Sequence, residues 1–267
     1  MAGSPPGIGL PEKGTGSPEL ARAGAIQDDQ YRFPYHYLPR LVGGRFRFHE
    51  VLGWGHEYLA YNSYIASLLA EIPWSRLLDV GCGDGRLVSM LTDDFPDRDI
   101  VGLDYSERAV ALARAMVPRG EFIAADVTRA DLFHRRFDCA TCIETLEHIE
   151  PAFLPQFVEG IRGQLGSGAA LIVTVPSRNV PLIDKHYQHF TAESLSDVLS
   201  EHFEVERIEY LNSVSMVANA MRKLVTNRFY TLTDPTLLTA FYNFYVRRYS
   251  RSSPERGGRV LAICSAK

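Results

Sequence analysis

From Arg76 onward, short apolar runs alternate with longer stretches in which apolar residues recur at helical spacing. The runs Arg76–Val80, Ile100–Leu103, Glu121–Ala124, Phe137–Ile143 and Ala169–Val175 have strand length and are bounded by turn-forming residues, so each predicts a strand. Between the first two, Leu87, Val88, Met90 and Leu91 predict a helix. After the second, Ser106 is a predicted N-cap with Glu107 in the first turn, followed by Val110, Leu112 and Ala113. After the fourth, Pro151 suits a first helical turn, and Phe153, Leu154, Phe157, Val158 and Ile161 form a candidate core face. Such alternation predicts an α/β fold: a parallel sheet wrapped by crossover helices.

The last third adds strands at Phe203–Tyr210 and Arg259–Cys264, separated by an insertion over about 213–252. Within it, Met216–Val225 and Thr236–Tyr249 read as helices. The second carries Phe241, Tyr242, Phe244, Tyr245 and Tyr249. Core burial is the first expectation for these rings, with a lid, a homodimer face or a contact for a lipid-linked substrate as other uses. Ahead of the sheet, residues 1–29 are rich in Gly, Pro, Ala and Ser without apolar period, which predicts a disordered tail. Residues 30–70 comprise an aromatic arm containing Tyr31, Phe33, Tyr35, His36, Tyr37, Phe46 and Phe48, then a helix over about Glu57–Leu69. This unit is expected on the substrate side of a main domain spanning 71–267.

The composition is that of a globular chain: 267 residues, 46% apolar and 22% charged. A net charge of −4 gives no overall footprint for nucleic acid or anionic membrane, although local patches remain open. No segment has the apolar length of a membrane span, and no secretory signal is expected, so a cytoplasmic location follows. Of the four cysteines, Cys139 and Cys142 form a C-x-x-C inside a predicted strand, where residues three apart face opposite sides. That argues against a redox or zinc pair.

The most specific signal is Leu77-Leu78-Asp79-Val80-Gly81-Cys82-Gly83-Asp84-Gly85, a buried strand running into a glycine turn that opens a helix. Glycines there permit positive φ and close approach of a ligand to the main chain. A dinucleotide fingerprint needs G-x-G-x-x-G, but this chain has G-x-G-x-G with Arg86 at the last glycine position, so a nicotinamide oxidoreductase is the weaker reading. Ligands of open α/β sheets bind outside the carboxyl ends of the strands. Four successive predicted strands here end in acids, at Asp79, Asp104, Asp126 and Glu144. A carboxylate at Asp104 can accept hydrogen bonds from vicinal ribose hydroxyls, and each acid could instead cap a helix.

The segment D-V-G-C-G-D-G at 79–85 resembles the first motif of class I S-adenosylmethionine-dependent methyltransferases. The resemblance covers about 54–176 well and continues to 191. It implies a Rossmann-like, doubly wound, seven-stranded and mostly parallel sheet whose last strand is antiparallel. It also implies S-adenosylmethionine as donor and S-adenosylhomocysteine as product. The cofactor would face Asp79, Gly81, Cys82 and Gly83. Asp104 would take the ribose, Tyr105 would flank the adenine, Asp126 and Val127 would hold its edge, and Glu144 would stand near the methionine end.

The acceptor side is expected at Glu144-Thr145-Leu146-Glu147-His148 and at Lys185-His186-Tyr187-Gln188-His189-Phe190-Thr191. The latter is similar to the K-H-Y-x-H-F-T segment of small-molecule methyltransferases that include quinone-biosynthesis enzymes. If a hydroxyl is methylated, His148, His186 and His189 are the candidate bases, against the plainer role of bonding the backbone. The acceptor is expected to be a small or medium-sized metabolite: a sugar, a quinone-like or natural-product hydroxyl, or an amine. No nucleic-acid partner is expected, no metal is assigned, and a homodimer is possible.

Two alternatives come from other classes. Glu144, Glu147, His148 and a later histidine could hold a divalent metal, as in the small-RNA 2′-O-methyltransferases that use E-x-x-E-H. The segment 186–190 departs from that family's later D-H-x-F-E-W type motif. A catalytically silent scaffold on the same fold is the other alternative, and it would not bind S-adenosylmethionine.

Overall fold

A computed structural model describes the backbone of residues 41–42, 45–46, 49–129 and 132–267, with side chains over 55–129 and 132–267. The expected tail at 1–29 and the side chains of the aromatic arm, Tyr31 to Phe48, lie outside the described residues. What is described of the arm is a two-stranded antiparallel ladder, β1 (Leu41–Val42) and β2 (Arg45–Phe46). Helix α1 (His49–Glu71) follows, longer at its start than its apolar stripe predicted.

The main sheet is built from β3 (Arg76–Val80), β4 (Asp99–Asp104), β5 (Glu121–Ala124), β6 (Phe137–Ile143), β7 (Leu165–Pro176), β8 (Phe203–Ser213), β9 (Arg251–Ser252) and β10 (Gly257–Ala266). Their spatial order is β5-β4-β3-β6-β7-β10-β8-β9. Pairings from β5 to β7 are parallel, whereas β10 runs antiparallel to both β7 and β8. The seven expected strands are therefore present with the last one antiparallel. An eighth was not foreseen: the two-residue β9, which pairs antiparallel with the outer edge of β8.

Crossover helices are α2 (Arg86–Asp94), α3 (Glu107–Met116), α4 (Leu154–Gln164) and α5 (Ala192–Leu199), and the insertion contributes α6 (Met216–Val225) and α7 (Pro235–Tyr249). Ser106 caps α3 by accepting from the Ala109 N–H at 3.2 Å. Alternation along the strands divides the core into two layers. Leu78, Val80, Ala140 and Cys142 pack toward α4 and α5, while Leu77, Ile100, Cys139 and Ile172 pack toward α1, α2 and α3. Cys139 and Cys142 thus stand in different layers, both buried, and burial pushes the Cys139 thiol up to about 12.

Two core expectations need correction. A 3₁₀ turn at Pro151–Phe153 precedes α4, and this turns Phe153 to the surface and Phe157 to the rim of a cleft, leaving Leu154, Val158 and Ile161 in the core. In α7 only Tyr245 is fully buried, with Phe244 exposed and Phe241, Tyr242 and Tyr249 partly covered. The helix lies on α1 rather than under it. His56 of α1 meets Phe241 and Tyr245 edge-on at 5.6 and 4.7 Å, so a single stripe of α7 finds cover.

Candidate active site

Strand order reverses between β4 and β6, which flank β3, and at this reversal the carboxyl ends of the strands open into a cleft of about 800 Å³. That volume is at the upper end of the range of about 300–1,000 Å³ usual for small-molecule sites. One half of the cleft is made from the β3–α2 turn and the ends of β4 and β5. Gly81, Gly83 and Gly85 have φ of 77°, 55° and 79°, a conformation that side chains disfavour. At Gly81 the reason is also internal packing: a Cβ would meet the Thr145 Oγ1 at 2.2 Å. The Asp104 carboxylate accepts from the Gly83 N–H at 2.9 Å through one oxygen and from the Ser106 N–H at 2.9 Å through the other. It therefore ties the glycine turn to the start of α3 while remaining on the cleft wall.

Asp79 and Cys82 stand beside this turn, with Tyr105 and Val127 further along the same wall. The Asp79 carboxylate is buried and accepts from the Thr141 hydroxyl at 2.7 Å. Burial raises its pKa to about 7, partly offset by that hydrogen bond, with Asp104 adding a repulsive contribution. Burial also holds the Cys82 thiol well above its ordinary range, so it is a small apolar wall rather than a nucleophile. Asp126 is exposed at the rim, where one oxygen accepts from the Thr128 N–H and hydroxyl, each at 2.9 Å.

The other half gathers residues far apart in sequence. Glu144 follows β6 at φ 53°, a left-handed conformation uncommon for a non-glycine residue. Its carboxylate accepts from the Thr174 hydroxyl at 3.1 Å and pairs with the Arg259 guanidinium of β10 at 2.9 Å. That guanidinium also lies 4.6 Å from the centre of the Tyr61 ring of α1. The Glu147 carboxyl is buried, and its Oε2 has no hydrogen-bond partner among the described residues. Burial, followed by repulsion from Glu144, pushes its pKa well above the carboxylate range.

Hydrogen bonds to carbonyl oxygens fix the tautomers of the three candidate histidines. His148 Nδ1 is 3.0 Å from the Lys185 carbonyl, which can only accept, so Nδ1 carries the proton and Nε2 presents a lone pair. His189 Nδ1 likewise donates to the Val180 carbonyl at 3.0 Å, so its Nε2 is an acceptor. His186 Nδ1, 2.8 Å from that Nε2, must then be the donor, and His186 Nε2 is left with a lone pair. The rings of His148 and His186 meet edge-on at 4.8 Å. Burial, then the Lys185 charge, lowers the His148 pKa to about 4. Burial, then His148 and Lys185, lowers that of His186 to about 2. Both rings are neutral at pH 7.

The cleft thus brings together the expected cofactor residues with His148 and His186, while His189 is not on its wall. His189 supports His186 from behind, which corrects its reading as a candidate base. Two wall residues were missed. Asn62 of α1 is buried with neither amide atom partnered among the described residues, and Arg259 reaches in from the last strand. The available signals were an amide inside the stripe Tyr58–Tyr61–Ile65 and a lone cation in the apolar run of β10. Glu147, His148 and His186 also offer three ligand atoms within 4.8 Å of one another, a spacing that could hold a cation.

The methyltransferase domain family matches residues 77–168, the segment that carries the glycine turn, the strand-end acids and His148. That segment, about a third of the chain, is similar to a methyltransferase domain. A probable S-adenosylmethionine-dependent methyltransferase of Mycolicibacterium smegmatis is 29% identical over 138 residues, covering 49% of this chain and 52% of the relative. A ubiquinone biosynthesis O-methyltransferase of Alkalilimnicola ehrlichii is 36% identical over 95 residues, covering 33% and 38% respectively. The chain thus spans about half or less of the length of these curated relatives. Among solved structures, an Archaeoglobus fulgidus methyltransferase superposes with a TM-score of 0.56 at 15% identity, covering 83% of this chain and all of the other, which supports the fold. The matched segment contributes residues to both halves of the cleft.

Proposed function

We propose that this protein transfers a methyl group from S-adenosylmethionine to a hydroxyl or amine of a small or medium-sized metabolite. The observation that carries the reading is one continuous cleft with a glycine turn and strand-end acids on one side and two outward imidazole lone pairs on the other. The residues fit the donor. The Asp104 carboxylate, oriented by two main-chain N–H groups on the cleft wall, is the type of acceptor that ribose hydroxyls donate to. Asp79 offers a carboxylate to a cationic ligand, and Tyr105 and Val127 are suited to flank a flat base. When bound, S-adenosylmethionine supplies a methyl group on an electrophilic sulfonium.

The chain's own work is alignment, water exclusion and proton removal. His148 Nε2 takes the acceptor proton. Of the two available imidazoles His148 is the stronger base, with a pKa of about 4 against about 2 for His186. Glu147, whose Oε1 lies 3.9 Å from that nitrogen, balances the imidazolium once it gives up its own proton. His186, its tautomer set through His189, shapes the opposite wall. Screening hydroxyl and amine metabolites for release of S-adenosylhomocysteine by mass spectrometry tests the function. No binding of S-adenosylmethionine in calorimetry would leave a silent scaffold instead.

The triad of ligand atoms favours a second reading, in which Glu147, His148 and His186 hold a divalent cation and the acceptor oxygen is oriented by it. The orphaned Glu147 Oε2 fits such an ion, although Glu147 must then ionise. Dialysis against a chelator separates the readings. Activity persists if His148 acts alone; under the second reading it is lost and returns with manganese or zinc.

A further inference from the structure

Away from the cleft, the insertion carries most of the exposed large apolar side chains among the described residues. In α6, Ala218 and Val225 face inward. At about 100° per residue, Met216, Val217, Ala220 and Leu224 fall within an outward arc of about 100°. Met216 is 88% exposed and Leu224 63%. The connection to α7 presents Phe229, 79% exposed, with the Arg228 guanidinium 4.5 Å from its ring centre. On α7, Leu237 and Phe244 are seven residues apart on one exposed side, and Arg247 and Arg248 follow in its last turn.

Charge says what such a surface fits. Of the six cations between Val214 and Ser252, Arg222 pairs with Glu57 and Arg251 lies over the Tyr64 ring of α1, which leaves Lys223, Arg228, Arg247 and Arg248, all exposed, against a single acid, Asp234, in a chain whose net charge is −4. Outward apolar side chains among an excess of arginine and lysine, on helices lying at the molecular surface, match the boundary between anionic headgroups and acyl chains. A second copy of the chain would set this basic face against its like, with one acid to offset four cations. Among the described residues no helix is long and apolar enough to cross a bilayer. We propose that the outer face of α6 and α7 docks this protein peripherally on an anionic phospholipid surface. Helix α1, which packs against both helices, carries Tyr58, Tyr61 and Asn62 into the cleft, so one helix separates the docking face from the site.

The test is cosedimentation of the full chain with vesicles of phosphatidylglycerol in phosphatidylcholine, against vesicles of phosphatidylcholine alone. Binding is expected with the anionic vesicles only, and it weakens as salt is raised. At about fivefold per cation near the surface, Arg247→Glu with Arg248→Glu is expected to weaken it at least tenfold. Met216→Glu with Leu224→Glu is expected to weaken it as much, with circular dichroism and S-adenosylmethionine affinity unchanged. Four outcomes overturn the proposal: no binding to anionic vesicles, equal binding to neutral ones, binding that appears only after deletion of residues 1–40, or a concentration-dependent dimer that the same variants dissolve.

Discussion

The two halves of the cleft are built in opposite ways. The half proposed to hold the donor comes from one contiguous βαβ stretch, in which the turn at Gly81–Gly85 and the carboxylate of Asp104 are held together by hydrogen bonds from main-chain N–H groups. The acceptor half is assembled from α1, the end of β6, the loop after β7 and β10. Its groups are oriented mostly by one another: Glu144 by Arg259, and His186 by His189. A ligand common to many chemistries can be held by a local motif. A particular acceptor needs a surface that several distant segments shape together.

This division predicts effects that separate cleanly. His148→Gln is expected to lower kcat by about 10²–10³-fold while leaving the S-adenosylmethionine Kd unchanged, measured by steady-state kinetics beside calorimetry. An equal loss in both would erase the distinction between the halves. Asp104→Ala should do the converse. Losing two hydrogen bonds to a charged group costs about 3 kcal/mol, or about 100-fold in donor Kd. The melting temperature also falls, because the Gly83 and Ser106 N–H groups lose their acceptor.

Arg259→Met leaves the largely buried Glu144 carboxylate without its cation. A destabilisation of about 2 kcal/mol is expected, below the full cost of a buried orphan because the pair is partly hydrated. Denaturant unfolding measures it, and Glu144→Gln in the same chain should recover part of the loss. An unchanged midpoint would mean that the acceptor wall does not depend on this pair.

The smallest effect concerns Asp79. With its pKa raised from 3.8 to about 7, this group's contribution to folding is complete below pH 3.8 and is lost as pH rises through about 7. A bound cation favours the carboxylate, so donor binding releases a proton and strengthens with pH. From pH 6 to pH 8 the affinity is expected to rise about tenfold. Calorimetry in buffers of different ionisation enthalpy reads the proton, and Asp79→Asn should flatten the profile. A flat profile in the unaltered protein would remove Asp79 from the donor site.

Local patterning made most of the architecture legible. The strand runs, the Ser106 cap and the glycine turn each write their conformation into neighbouring residues, and strand alternation anticipated the separation of Cys139 from Cys142. Phe153 and Phe244 share the apolar faces of their helices yet are exposed, because periodicity reports which residues share a side and not what covers that side. Asn62 and Arg259 carry a weaker signal: each is an isolated polar residue in an apolar run, and Arg259 gains its role from Glu144, far along the chain, whereas Asn62 lies on the cleft wall with no partner among the described residues.

Sequence alone determined the order of elements, the parallel sheet and the donor motif, since these depend on interactions between residues close in the chain or on a two-residue alternation. Tertiary structure decided which histidine faces the cleft and which stands behind it. Protonation of His148, His186 and His189 is dictated by the carbonyls of Lys185 and Val180, brought within 3.0 Å by the fold. It likewise left a basic, apolar face of the insertion exposed among the described residues, because α7 spends only one stripe on α1.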